Sequence, residues 1–119
     1  MLFRSKQVLP ANYPLGIRIS ASDWAEGGWD LDSSLALTRE LEKRGCAFIH
    51  VSSGGLAAHQ NIPLEPGYQV PFAKAIKAIT KMPVIAVGLI TEAKQAEQIL
   101  QEQEADLIGV ARVMLYNPH

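Results

Sequence analysis

Four short apolar runs, Leu15–Ser20, Ala47–Ser52, Pro83–Gly88 and Asp106–Ala111, alternate with three segments of helical period. That alternation constrains the fold more than any other feature of the chain. The runs are rich in Val and Ile and bounded by Gly, Pro, Asp or Ser, the composition of buried strands. Between the first two, Asp32 is placed to cap a helix reaching about Arg44, with Leu37 and Leu41 four apart and Gly45 at its end. Pro71 opens a second helix whose Phe72, Ala75, Ile76 and Ile79 share a face. Thr91 stands as the cap of a third, with Ala93, Ala96, Ile99 and Leu100 as its apolar stripe and Glu92 near the positive end of the dipole. A β-α-β-α-β-α-β order calls for parallel strands joined by helical crossovers. An open doubly wound sheet and consecutive units of a (β/α)8 barrel both satisfy it. A whole barrel takes roughly 250 residues, so a chain of 119 would hold about half of one.

Composition narrows the partners. A chain with 48% hydrophobic and 19% charged residues reads as one soluble globular domain. A formal charge of −1 gives no electrostatic ground for nucleic acid or an acidic membrane as partner. No apolar run has the length of a membrane span and no signal-peptide pattern follows Arg4 and Lys6, so a cytoplasmic setting is expected. Cys46 is the single cysteine, which excludes an intrachain disulfide and a multi-thiolate zinc site and reads as a buried thiol. Residues 1–14 are weakly patterned, Met1–Ser5 belonging to no element, and 15–119 carry the alternating strands and helices as one unit. Tyr116-Asn-Pro-His119 stops where a final helix should begin, so both ends read as cut.

The residues that could carry chemistry sit at strand ends. Arg18 lies inside Leu15-Gly-Ile-Arg-Ile-Ser-Ala-Ser-Asp23, where a cation is costly unless something anionic meets it. Alternation sends Arg18 and Ser20 to one face and Ile17 and Ile19 to the other. In a barrel Arg18 would point into the lumen or toward its upper rim; the structural alternative is a buried arginine paired with Asp23. Gly88 and Arg112 end the last two strands, the position from which barrels often bind phosphate. Free N–H groups at the helix start beyond Gly88 favour an anion, and Ala111 is small enough for close backbone approach. Arg112 also fits a surface arginine that begins a helix.

Other candidates read as structural. His59, in the long segment between Ser52 and Pro71, suits a solvated loop, and no second ligand has metal-like spacing to it. His50 suits a hydrogen-bonded lumen residue. Lys74, Lys77 and Lys81 suit a solvated helix face, and Trp24 and Trp29 suit local packing around Ala25-Glu-Gly-Gly28. There is no nucleophile elbow, thiolate cluster or Walker-type loop.

Five motifs in order are more specific than any one: Arg18-Ile-Ser-Ala-Ser-Asp23, Val51-Ser-Ser-Gly-Gly55, Pro66-Gly-Tyr-Gln-Val-Pro-Phe72, Ala86-Val-Gly-Leu-Ile-Thr91, and Ala105-Asp-Leu through Ala111-Arg112, followed by Asn117-Pro118. From about Val8 onward the chain resembles the Old Yellow Enzyme family of FMN-dependent ene-reductases, especially its branch similar to NADPH dehydrogenase and xenobiotic reductase. The resemblance implies the C-terminal half, about strands 5 to 8, of a TIM (β/α)8 barrel. It implies FMN as cofactor, NAD(P)H as reductant and small α,β-unsaturated carbonyl compounds as substrates. Arg18 matches the arginine near flavin N1, and Gly88, Ala111 and Arg112 match the phosphate cradle. Ala111 stands where many members have glycine, a mild departure because the backbone N–H remains. The loop carrying Tyr68 and Gln69 lies beside the flavin site in the family.

The family's substrate-anchoring His/His or His/Asn pair and its proton-donating Tyr have no counterpart here, so no catalytic residue and no metal site is assigned. Efficient turnover by this chain alone is not expected. A half-barrel that does not bind FMN productively is the main alternative. Another phosphate-binding barrel is a further one, and Gly67-Tyr-Gln-Val-Pro-Phe72 argues against it by resemblance. Exposed strand edges leave a homo-oligomer open.

Overall fold

The computed structural model describes residues 2–53, 65–116 and 118. Gly54, Gly55, His59 and Asn117 of the motifs above lie outside the described residues. The elements run α1 (Leu2–Val8), β1 (Ile17–Ser20), α2 (Leu31–Lys43), β2 (Ile49–Ser52), α3 (Val70–Lys77), β3 (Val84–Ala86), α4 (Ala93–Gln101), β4 (Leu107–Ile108) and α5 (Arg112–Tyr116). The strands form one parallel sheet in the order β1-β2-β3-β4.

That order separates the two candidate architectures. A doubly wound sheet reverses its strand order at a switch point. Here each strand is followed by its sequence neighbour, and right-handed crossovers that always step the same way place every helix on one face. The fold is therefore α/β with the winding of consecutive barrel units.

Register assigns the two faces. Ile17, Ile49 and Val84 lie side by side, as do Ile19, Val51 and Ala86. Ile49, Val51, Val84 and Ala86 are fully buried and form the core with Ala73 and Ile76 of α3 and Leu41 of α2. The other face carries the row Arg18, His50, Ile85, Leu107. Arg18 and Leu107 on that row are exposed.

Local chemistry explains the helix limits and corrects several expectations. The cap of α2 is Asp30 rather than Asp32: its carboxylate accepts from Ser33 N–H at 2.9 Å. At the other end Gly45, with φ +80°, closes a Schellman motif. Its N–H reaches Glu42 O at 3.1 Å, and Cys46 N–H reaches Leu41 O at 3.0 Å. The buried stripe of α2 is Ser34, Thr38 and Leu41, with Leu37 only partly buried. Ser34 is tolerated inside because its hydroxyl donates to Ala21 O at 2.8 Å and accepts from Trp29 Nε1 at 2.7 Å.

Glu92, not Thr91, precedes α4 as its cap residue, and Thr91 N–H instead donates to Gln95 Oε1 at 3.1 Å. Leu2–Ser5 belong to α1, contrary to the reading of Met1–Ser5 as outside any element, and Lys6 ties that helix to Arg44 O at 3.3 Å. Cys46 is buried. Lys77, read as part of a solvated face, pairs with Asp106 at 2.6 Å, and Asp106 also accepts from Val84 N–H at 2.9 Å. The Lys77 hydrogen bond, ahead of the Val84 amide, holds the Asp106 carboxyl below the usual aspartate value. Among the described residues no helix is long and apolar enough to cross a membrane.

Candidate functional site

The strands run parallel, so all their C-terminal ends face one way, and the loops leaving them enclose a cleft of about 350 Å³. Arg18, Gly88, Ala111 and Arg112, singled out from widely separated parts of the sequence, all line it. Ser52 and Ser53 contribute from the end of β2, Tyr68 and Gln69 from the turn before α3, and Gly109 from the end of β4.

Each group has a distinct setting. Arg18 is exposed on the sheet's open face, which removes the structural alternative of a buried arginine. It forms no ion pair with Asp23: that carboxylate accepts from Trp29 N–H at 2.8 Å and closes the 23–29 turn. Arg112 is exposed and begins α5, as its structural reading has it, and it also lines the cleft. Gly88 has φ +112°, a conformation that side chains rarely adopt. Neither the Gly88 nor the Arg112 N–H donates to an acceptor among the described residues. No carboxylate lines the cleft among the described residues. Two guanidinium groups and two unpaired amides around one space, with no acid to neutralise them, suit an anion.

His50 lies beside Arg18 in register. Contrary to the expected hydrogen-bonded lumen residue, its Nε2 is buried without a hydrogen-bond partner among the described residues. Desolvation, with a smaller contribution from the Arg18 charge, lowers its pKa from the ordinary 6.5. An NMR titration of the His50 ring should accordingly give a midpoint below 6.5. Because folding lowers this pKa, the associated stability is present above the ordinary value and is lost as pH falls through the folded midpoint. A midpoint at or above the ordinary value would refute the desolvated setting.

The residue that the sequence underrated is Gln69. It is 5% exposed, and its side chain makes no capping bond to α3. Instead Oε1 accepts from Ser53 N–H at 2.6 Å and Ser53 Oγ at 2.9 Å, while Nε2 donates to Val87 O at 2.8 Å. Trp24 extends this chain, its Nε1 donating to Ser53 Oγ at 2.7 Å. Trp24 also packs edge-on against Phe72, with ring centroids 5.1 Å apart, and lies 6.3 Å from Tyr68. Both tryptophans thus serve packing and loop anchoring. The available signal for Gln69 was a glutamine at a helix start, where it is a poor cap.

The model of the NADH:flavin oxidoreductase / NADH oxidase family matches residues 5–119. NADPH dehydrogenase of Halalkalibacterium halodurans is 48% identical over 106 residues, covering 89% of this chain and 31% of that protein. NADPH dehydrogenase of Bacillus subtilis is 41% identical over 105 residues, again 31% of its length. The chain thus spans about a third of the curated relatives it matches. A 2-naphthoyl-CoA reductase solved with 2-naphthoyl-CoA superposes with a TM-score of 0.82 at 19% identity, over 95% of this chain and 18% of that one. At that identity the likeness concerns the fold alone.

Proposed function

The chain belongs to the NADH:flavin oxidoreductase / NADH oxidase family, and on that premise we propose that residues 15–119 supply the phosphate-binding wall of an FMN site in an NAD(P)H-dependent oxidoreductase. The observation that carries the reading is the convergence of Arg18, Gly88, Ala111 and Arg112 on one cleft that no carboxylate lines among the described residues. The residues fit the group: the Arg112 guanidinium and the unbonded N–H groups of Gly88 and Arg112 would hold a phosphate dianion, and Ala111 would leave the backbone approachable. Arg18, on the open face of β1 and also lining the cleft, would hold the ring end of the flavin, where a cation would stabilise the reduced ring. Bound there, FMN would supply hydride transfer between NAD(P)H and an α,β-unsaturated carbonyl substrate.

We assign no catalytic acid to this chain, and turnover needs carbonyl donors and a proton source besides these residues. A second reading, a half-barrel that does not bind FMN productively, draws on the exposure of Arg18 and Leu107 along the open face.

Titration of the purified chain with FMN and with riboflavin separates the two. Saturable FMN binding is expected, weakened about tenfold or more by Arg112→Ala, with riboflavin affinity changed less than about twofold. Absence of saturation at high micromolar FMN would leave the second reading.

A further inference from the structure

Gln69 touches two backbone segments that are far apart in sequence. It holds Ser53 beyond β2 and Val87 beyond β3, and its amide packs where a side chain on Gly88 would stand. The backbone partners fix its orientation, since an N–H must face its oxygen and a carbonyl its nitrogen. Buried with its oxygen and nitrogen both bonded, such an amide sets the separation of the segments it joins.

We propose that Gln69 is the positioning residue of the anion cleft: by clamping Ser53 to Val87 it holds Gly88 where the backbone receives a phosphate. The proposal rests on the FMN reading above and deepens it. Gln69 acts through Gly88 and needs no contact with the ligand.

A glutamate at this position keeps the shape and makes the clamp depend on protonation. A neutral carboxyl can accept from Ser53 and donate to Val87 O, whereas a carboxylate can only accept and would face the Val87 carbonyl unfavourably. FMN dissociation constants of the full chain, each expressed relative to the unsubstituted chain at the same pH, therefore test the clamp. Burial and the facing Val87 carbonyl would raise the pKa of a glutamate here above its ordinary value, so Gln69→Glu is expected to weaken binding about tenfold at about pH 8 and to recover to within about threefold at about pH 5. Gln69→Met, similar in length but unable to clamp, should weaken binding about tenfold at both. Ser53→Ala removes one of the two bonds to Oε1 and should lose a few-fold, which keeps the test available where Gln69→Met does not fold.

Equal affinities for all variants beside a saturable unsubstituted chain would overturn the clamp and leave the FMN reading intact. A loss for Gln69→Glu that is the same at both pH values would show a merely structural role and also overturn it. An unsubstituted chain that does not bind FMN overturns the FMN reading, and the clamp with it.

Discussion

Ile49→Ala is expected to destabilise the chain by about 2–5 kcal/mol, the range for removing a large aliphatic side chain from a packed interior. Ile49 is 0% exposed and sits in β2 between Ile17 of β1 and Val84 of β3. It is therefore flanked within its sheet as well as covered by helices. Domains of this size carry only about 5–15 kcal/mol of net stability, so the loss takes a large share of the total. Leu107→Ala is the matching control. Leu107 is 53% exposed on the opposite face, and its truncation should cost less than about 0.5 kcal/mol. Urea denaturation of both variants checks the pair, with m held constant so that midpoint shifts report stability. A cost below about 1 kcal/mol for Ile49→Ala would mean that the helix-covered face is not the core.

The same two faces explain how much of the molecule was legible in its sequence. Parallel strands packed under helices need Val and Ile together with helical stripes in alternation, and both are visible in one dimension. Arg18 was legible because a charge inside an apolar run breaks that pattern, and Gly88 and Arg112 because strand ends are predictable. The helix caps were less so. Asp30 and Asp32 are both acids near one helix start, and only the backbone decides which reaches the Ser33 amide. Ser34 and Thr38 look like surface residues by type but are buried, since their hydroxyls bond to Ala21 O and Ser34 O. Gln69 was obscured for a related reason. Its partners lie 16 and 18 residues away in different loops, and no local periodicity reports such a contact. The exposure of Arg18 depends on what stands opposite the sheet, which strand alternation does not contain.

Gly88→Ala should damage both the fold and the cleft, by about 2–6 kcal/mol in stability and about tenfold or more in FMN affinity. The stability figure combines about 1–3 kcal/mol for a side chain held in a sparsely populated backbone conformation with about 1–3 kcal/mol for a buried polar group left unpaired. Both apply at this position. Its φ is +112°, and an added Cβ would overlap the Gln69 amide nitrogen and stand 2.9 Å from Gln69 Cδ. Gln69 cannot yield without releasing Ser53 or Val87. Combining Gly88→Ala with Gln69→Ala separates the two sources of strain, because removing the amide relieves the overlap and leaves the backbone conformation unchanged. The double variant should be less destabilised than the sum of its parts by about 1 kcal/mol or more, a coupling expected of residues in direct contact. Additive losses would show that the backbone conformation alone requires glycine. Coupled losses would tie Gly88, through Gln69, to the loops after both β2 and β3, so that the cleft holds its shape as one unit.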